Sequence, residues 1–161
     1  MEVGGSGCNL GFLTVLREPA GYLGGYLVTN AWGRPLEFRL STAVQPNRVQ
    51  QILYGDSLEP YLCSDLIGKT LIDKTTTPAQ LILTDHPAVL DLRWRIDVPV
   101  ALLPAQADAS SDPRPHSRFP GDGTRISQML DGLGGLDLAE PFARIRDAIA
   151  EARKLGATTR G

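Results

Sequence analysis

Between Pro35 and Thr42, Leu36, Phe38 and Leu40 alternate with Glu37, Arg39 and Ser41, the period of a strand with one solvated face. Two apolar runs precede this segment, Leu10–Glu18 and Tyr22–Asn30. Between the second run and Pro35, the stretch from Asn30 to Arg34 carries Gly33, the residue a hairpin turn favours. The pattern predicts an antiparallel three-stranded meander. Gly24-Gly25, inside the second run, predicts a bulge or a close backbone approach.

The period then changes. Val49, Ile52 and Leu53 fall at i, i+3 and i+4, Pro46 suits a first helical turn, and Gly55 suits a helix stop. A second helix is predicted within 56–74, with Leu58, Tyr61, Leu62, Leu66 and Ile67 as its apolar face and Asp65–Lys69 as an i, i+4 ion pair. Ala79–Asp85 and Val98–Leu103 are short apolar runs of the kind buried on both faces of a sheet. The residues between them fit a short helix with Leu90 and Trp94 on one face, giving a right-handed crossover between parallel strands.

At Pro104 the composition shifts to Pro, Ser, Asp and Gly. This divides the chain into a flexible N-terminus (1–9), an α/β domain (10–104), a disordered linker (105–124) and a C-terminal helical segment (125–161). Phe142, Ile145 and Ile149 form an apolar stripe on the last helix. Such a stripe has to dock somewhere; the length of the linker permits its own sheet or another chain, and the helix is expected to contribute to partner binding or self-association more than to core stability. Asp137–Phe142 repeats the pattern of Asp56–Tyr61, acid, glutamate, proline and aromatic, which is helix-start chemistry.

Composition narrows the class without naming a chemistry. In 161 residues, 42% hydrophobic and 21% charged residues describe an ordinary globular chain. A net charge of −2 gives no drive toward nucleic acid or an anionic membrane, although it leaves nucleic acid open as a partner. The two cysteines, Cys8 and Cys63, form no metal-binding pair, and His86 and His116 are isolated. Cys63 is expected to be a buried reduced thiol. No run reaches the ~18 apolar residues of a membrane span, so a cytoplasmic location is expected.

With the two middle helices taken as one broken helix, the element order β-β-β-α-β-α-β resembles the ribonuclease H-like fold. The residues that carry the likeness are Gly24–Asn30, Gly33–Thr42, Pro46–Gly55 and Leu81–Leu90. The resemblance implies a mixed five-stranded sheet and, in catalytic members, carboxylates converging on two Mg²⁺ ions. Asp85 matches the acid at the end of the fourth strand. Gln50 stands where the first helix would carry glutamate, and the first strand has only Glu18, at its end. Asp131, Asp137 or Glu140 would have to supply the late acid. An amide does not bind Mg²⁺ as a carboxylate does, so the usual metal site is expected to be absent.

Asp85 and His86 are the candidate catalytic pair, at a strand end where open α/β sheets place ligands. Helix capping by Asp85 is the competing role. Asn30, Trp32, Arg34, Arg39 and Arg48 are candidate binding residues around the hairpin, with Phe142, Ile145 and Ile149 on the last helix. The bland alternative is a solvated hairpin with Glu37 paired to Arg39 across strands. These features point to a non-catalytic interaction or scaffold module that binds a protein or itself and needs no cofactor. The alternative is a metal-dependent nuclease or phosphotransfer enzyme using Asp85 and Mg²⁺, and a regulatory small-ligand site at the strand ends is a third reading.

Overall fold

A computed structural model describes residues 8–104 and 112–160. Among the described residues, six strands form one mixed sheet in the order β3-β2-β1-β4-β5-β6. The meander is β1 (Leu10–Glu18), β2 (Gly21–Thr29) and β3 (Pro35–Leu40), antiparallel throughout. β4 (Leu81–Thr84) lies parallel to β1, and β5 (Val100–Leu102) lies parallel to β4. The sixth strand corrects the expected five. β6 (Arg114–Pro115) pairs antiparallel with β5 from inside the stretch read as linker. A proline is tolerated there because β6 is a sheet edge.

Helices cover both faces. On one face lies a composite helix, α2, formed by Leu58–Pro60, Tyr61–Gly68 and Lys69–Lys74. The 3₁₀ segment Pro87–Trp94 packs beside it. Leu62, Cys63, Ile67 and Leu71 of α2 join Leu13, Val15, Tyr26 and Val28 of the sheet in this layer. The opposite face carries α3 (Asp122–Asp131) and α4 (Glu140–Arg160). Here Ile126, Phe142, Ile145 and Ile149 meet Leu10, Phe12, Leu27, Leu81 and Leu83. The Phe12 and Phe142 rings meet edge to face, 5.5 Å apart. The apolar stripe of the last helix is therefore core of its own domain.

Gly24-Gly25 is the close approach that lets both layers reach β2. A Cβ on Gly24 would lie 2.2 Å from Ile67 Cγ2, and one on Gly25 would lie 2.5 Å from Ile145 Cγ2. Adjacent residues of a strand face opposite sides, so each glycine makes room for one helix.

Two helices depart from the expected winding. The central part of α2 is a π-helix, with backbone bonds reaching one residue further than in an α-helix. The wider turn breaks the expected Asp65–Lys69 pair. Asp65 instead receives a two-pronged bond from Arg95 at 3.1 and 3.0 Å, while Lys69 pairs with Asp73 at 2.5 Å. In the segment after β4, the tight 3₁₀ winding places residues i and i+3 on one side. Val89 and Leu92 are consequently the buried pair, and Trp94 is exposed, in place of the expected Leu90 and Trp94 face.

The stretch read as linker is only partly described. Residues 105–111 lie outside the described residues, as do residues 1–7 of the N-terminus read as flexible. From Pro113 on, the chain is tied down. His116 is buried, Arg93 bonds Asp122 at 2.8 Å, and the Arg93 guanidinium lies 4.1 Å from the Phe119 ring centre. Few apolar residues were available to predict this. The anchoring uses histidine, one phenylalanine and a mostly buried ion pair.

Candidate functional site

Asp85 follows β4 directly, and its carboxylate is already shared. The Thr14 hydroxyl of β1 donates to Oδ1 at 2.7 Å, and Arg146 of α4 donates to Oδ2. The register explains the meeting: Leu13 pairs with Thr84, which sets Thr14 beside Asp85. Thr14 is on the α4 face, together with Leu10 and Phe12, so Arg146 approaches from the same side. The result is an ion pair with a hydrogen-bonded threonine, joining β1, β4 and α4.

His86 does not complete an acid/base unit with Asp85. Its Nδ1 accepts from the Ala88 backbone N–H at 3.2 Å, so His86 caps the 3₁₀ segment. The capping role expected of Asp85 thus falls to its neighbour. Gln50 is also used locally. In α1 (Arg48–Tyr54), the Asn47 side chain accepts from the Gln50 N–H at 2.8 Å, and the Gln50 side chain accepts from the Asn47 N–H at 2.9 Å. This reciprocal capping box sets the helix start. Among the described residues, no group of three or more His, Cys, Asp or Glu side chains is placed to hold a metal ion.

The hairpin residues organise their own turn. Asn30 Oδ1 accepts from the N–H groups of Trp32 at 2.9 Å and Arg34 at 3.0 Å, and Gly33 takes a φ of 87°. Arg144 of α4 donates to the Gly33 carbonyl at 2.9 Å. Trp32 stands 77% exposed at the tip. Arg39 bonds Glu37 at 2.8 Å along one strand, and not across two as expected. Arg48 reaches Gln51 at 3.4 Å, within α1. Both arginines are thus engaged locally.

Glu37 is more built than the sequence suggested. Its carboxylate accepts from the Thr76 N–H, the Thr76 hydroxyl and the Thr77 N–H at 2.9–3.2 Å. Burial alone would raise its pKa, but the bonds from Thr77, Thr76 and Arg39 outweigh that and bring it down to about 2. Cys63 is buried as expected, and burial, followed by the nearby Glu59, pushes its thiol up to about 12. A thiol held protonated in this way is a poor nucleophile.

A recess of about 870 Å³ opens near the C-terminal ends of the parallel strands. Asp91, Trp94, Leu102, Arg114, His116 and Arg118 contribute to its wall. His116 Nε2 lies 2.8 Å from Asp91 Oδ1, and Nδ1 accepts from the Arg118 N–H at 3.0 Å. With Nδ1 accepting, the proton is assigned to Nε2 and donated to Asp91. Both ring nitrogens are thus engaged. Sequence reasoning missed the cluster because His116 lies inside the stretch read as a disordered linker, 25 residues after Asp91. The available signal was His116 and Phe119 within an otherwise polar run.

The exposed apolar side chains lie elsewhere. Every side chain of α1 escapes burial, and Val49, Ile52 and Leu53 are 62%, 64% and 76% exposed. Phe38 and Leu40 of the edge strand β3 are also exposed. Among the described residues, no helix is long and apolar enough to cross a membrane. No protein-family model matches the chain, and no curated protein matches it.

Proposed function

We propose that this domain is a non-catalytic protein-interaction module built on a sheet of ribonuclease H-like order. The observation that carries the reading is α1, a capped helix whose large apolar residues Val49, Ile52 and Leu53 are all left in water. A contiguous apolar patch left exposed marks an interaction surface. The fold-level part draws support from the strand order β3-β2-β1-β4-β5, with β1, β4 and β5 parallel. Against the nuclease alternative stands Arg146. It brings a cation to Asp85, where a metal-binding site would need a second acid.

The test charges the helix surface. Ile52→Glu with Leu53→Glu should shift stability by no more than about 0.5 kcal/mol per site, as exposed positions do. It should also abolish binding of a protein partner through the α1 face. Micromolar Mn²⁺ binding by titration calorimetry that is lost in Asp85→Ala, together with phosphodiester cleavage, overturns the reading in favour of the enzyme.

A further inference from the structure

We propose that the domain also pairs with a second copy of this chain, by antiparallel pairing of β3 with β3 about Phe38, so that one sheet runs through both molecules. This deepens the interaction-module reading and rests on it. β3 ends the sheet order, so one of its sides has no neighbouring strand among the described residues. The Ser41 N–H donates to the Gly24 carbonyl at 2.9 Å, and the register continues through Arg39 opposite Tyr26 and Glu37 opposite Val28. Antiparallel strands alternate the direction of their peptide groups. Ser41, Arg39 and Glu37 therefore turn toward β2, while Phe38 and Leu40 turn their N–H and C=O groups to the open edge. Such groups are a template for another strand. Natural edges are often blunted with lysine or proline; β3 carries a proline only at its first residue, Pro35, and from Leu36 to Val44 there is neither, the charges there being Glu37 and Arg39.

Charge selects the occupant. A two-fold axis at Phe38 sets Glu37 of each copy opposite Arg39 of the other, so the favourable pair occurs twice. Centring the axis on Arg39 would oppose two like charges, and centring it on Leu40 would set Arg39 against Ser41. Opposite charges directly across a strand pair stabilise it and like charges destabilise it. A self-complementary strand is what a two-fold contact requires. Glu37 is already fixed in place by Thr76 and Thr77 and bonded by Arg39 of its own chain, so in the pair each Arg39 would be shared between its own Glu37 and that of the other copy. Phe38 and Leu40 face the α4 layer, opposite Leu27 and Gly25, and are 37% and 39% exposed. The two Phe38 rings would become cross-strand neighbours, each gaining cover from the other copy.

Sedimentation equilibrium of the full chain should give twice the chain mass. Arg39→Glu places Glu37 opposite a glutamate at both crossings and should weaken the dimer at least roughly tenfold. Glu37→Arg alone should do the same, and an equimolar mixture of the two variants should recover the dimer, because every crossing then joins opposite charges. Glu37→Arg also loses the Thr76 and Thr77 bonds. If it does not fold, Phe38→Pro removes an outward N–H without touching a bond to β2, and should likewise yield monomer. A wild type that stays monomeric at its highest soluble concentration overturns the pairing. So does a dimer unaffected by both Arg39→Glu and Phe38→Pro. A monomer that still loses a different protein partner when Ile52 and Leu53 are charged overturns the β3 pairing alone. Failure of the module reading shows separately, as Mn²⁺-dependent phosphodiester cleavage.

Discussion

Arg146 of α4 is paired with Asp85 at the end of β4, while the buried Thr14 of β1 holds the other carboxylate oxygen. The carboxylate that looked most catalytic in the sequence is thus a joint between the sheet and the last helix. Asp85→Ala should cost about 1–3 kcal/mol, because it leaves the Thr14 hydroxyl buried without its acceptor. Arg146→Ala should cost no more than about 1 kcal/mol, since the guanidinium is nearly half exposed and water replaces the lost partner. Thermal denaturation of the two variants checks the order. Equal losses would mean that the ion pair, and not the threonine bond, holds the joint.

The last helix leads to a larger loss. Phe142 is buried against Phe12, and Phe142→Ala should destabilise the domain by about 3–5 kcal/mol, the usual range for removing a buried aromatic ring. Removing residues 140–161 should unfold residues 8–104. A truncated domain that retains its cooperative thermal transition would contradict the core role assigned to α4.

Gly24 and Gly25 predict a pair of coupled losses. Alanine at Gly24 meets Ile67, and alanine at Gly25 meets Ile145, both nearer than carbon atoms approach without displacement. Each substitution should cost about 1–3 kcal/mol through overpacking. Combining Gly24→Ala with Ile67→Ala should cost less than the sum of the two, because the second change empties the space the first one fills. Chemical denaturation of the four proteins of that cycle measures the coupling, and strict additivity would remove the steric explanation.

The strands were legible because their signals are local. Alternation at Leu36–Ser41 and the glycine of the Asn30–Arg34 turn need no knowledge of the rest of the chain. Gly24-Gly25 could be read as a close approach, although neither partner was visible. What escaped was set by distant contacts. The π-winding that moves Asp65 from Lys69 to Arg95 leaves no mark in a pattern analysed at 3.6 residues per turn. The anchoring of Pro113–Asp122 escaped for a different reason, since buried histidine and arginine–carboxylate contacts count as polar in a composition scan. At the candidate site, Asp85 was visible. Arg146, which gives it its role, lies 61 residues further on.

Glu37 should give the stability curve a measurable acid limb. Its carboxyl titrates near 2 in the folded protein against an ordinary value of 4.5. A lowered folded value means that the stabilisation is complete above about 4.5 and disappears as the pH falls from there toward 2. Glu37→Gln should therefore be less stable than wild type at neutral pH, and the gap in Tm should close across that window. A gap that stays constant down to pH 2 would show that Glu37 acts through packing and not through its charge.

His116 should fix the chain that follows it. Its Nδ1 accepts from the Arg118 N–H and its carbonyl accepts from the Phe119 N–H at 2.9 Å, while Nε2 is held by Asp91. The amides of Arg118 and Phe119 should exchange at least roughly tenfold more slowly than those of a free peptide, as protected local structure does. His116→Ala should remove that protection and cost about 1–3 kcal/mol, from the lost bonds of a buried polar side chain. His116→Asn separates the two functions of the ring. An asparagine oxygen can accept from the N–H two residues on, so Arg118 should stay protected, while the reach to Asp91 and the edge contacts with Trp94 and Phe119 are lost. Hydrogen exchange with thermal denaturation therefore has a specific expected outcome: the asparagine variant resembles wild type at Arg118 and the alanine variant in Tm. If asparagine restores neither, the turn depends on the whole imidazole. If alanine leaves both amides protected, His116 does not anchor the segment, and Arg93 with Asp122 holds it alone.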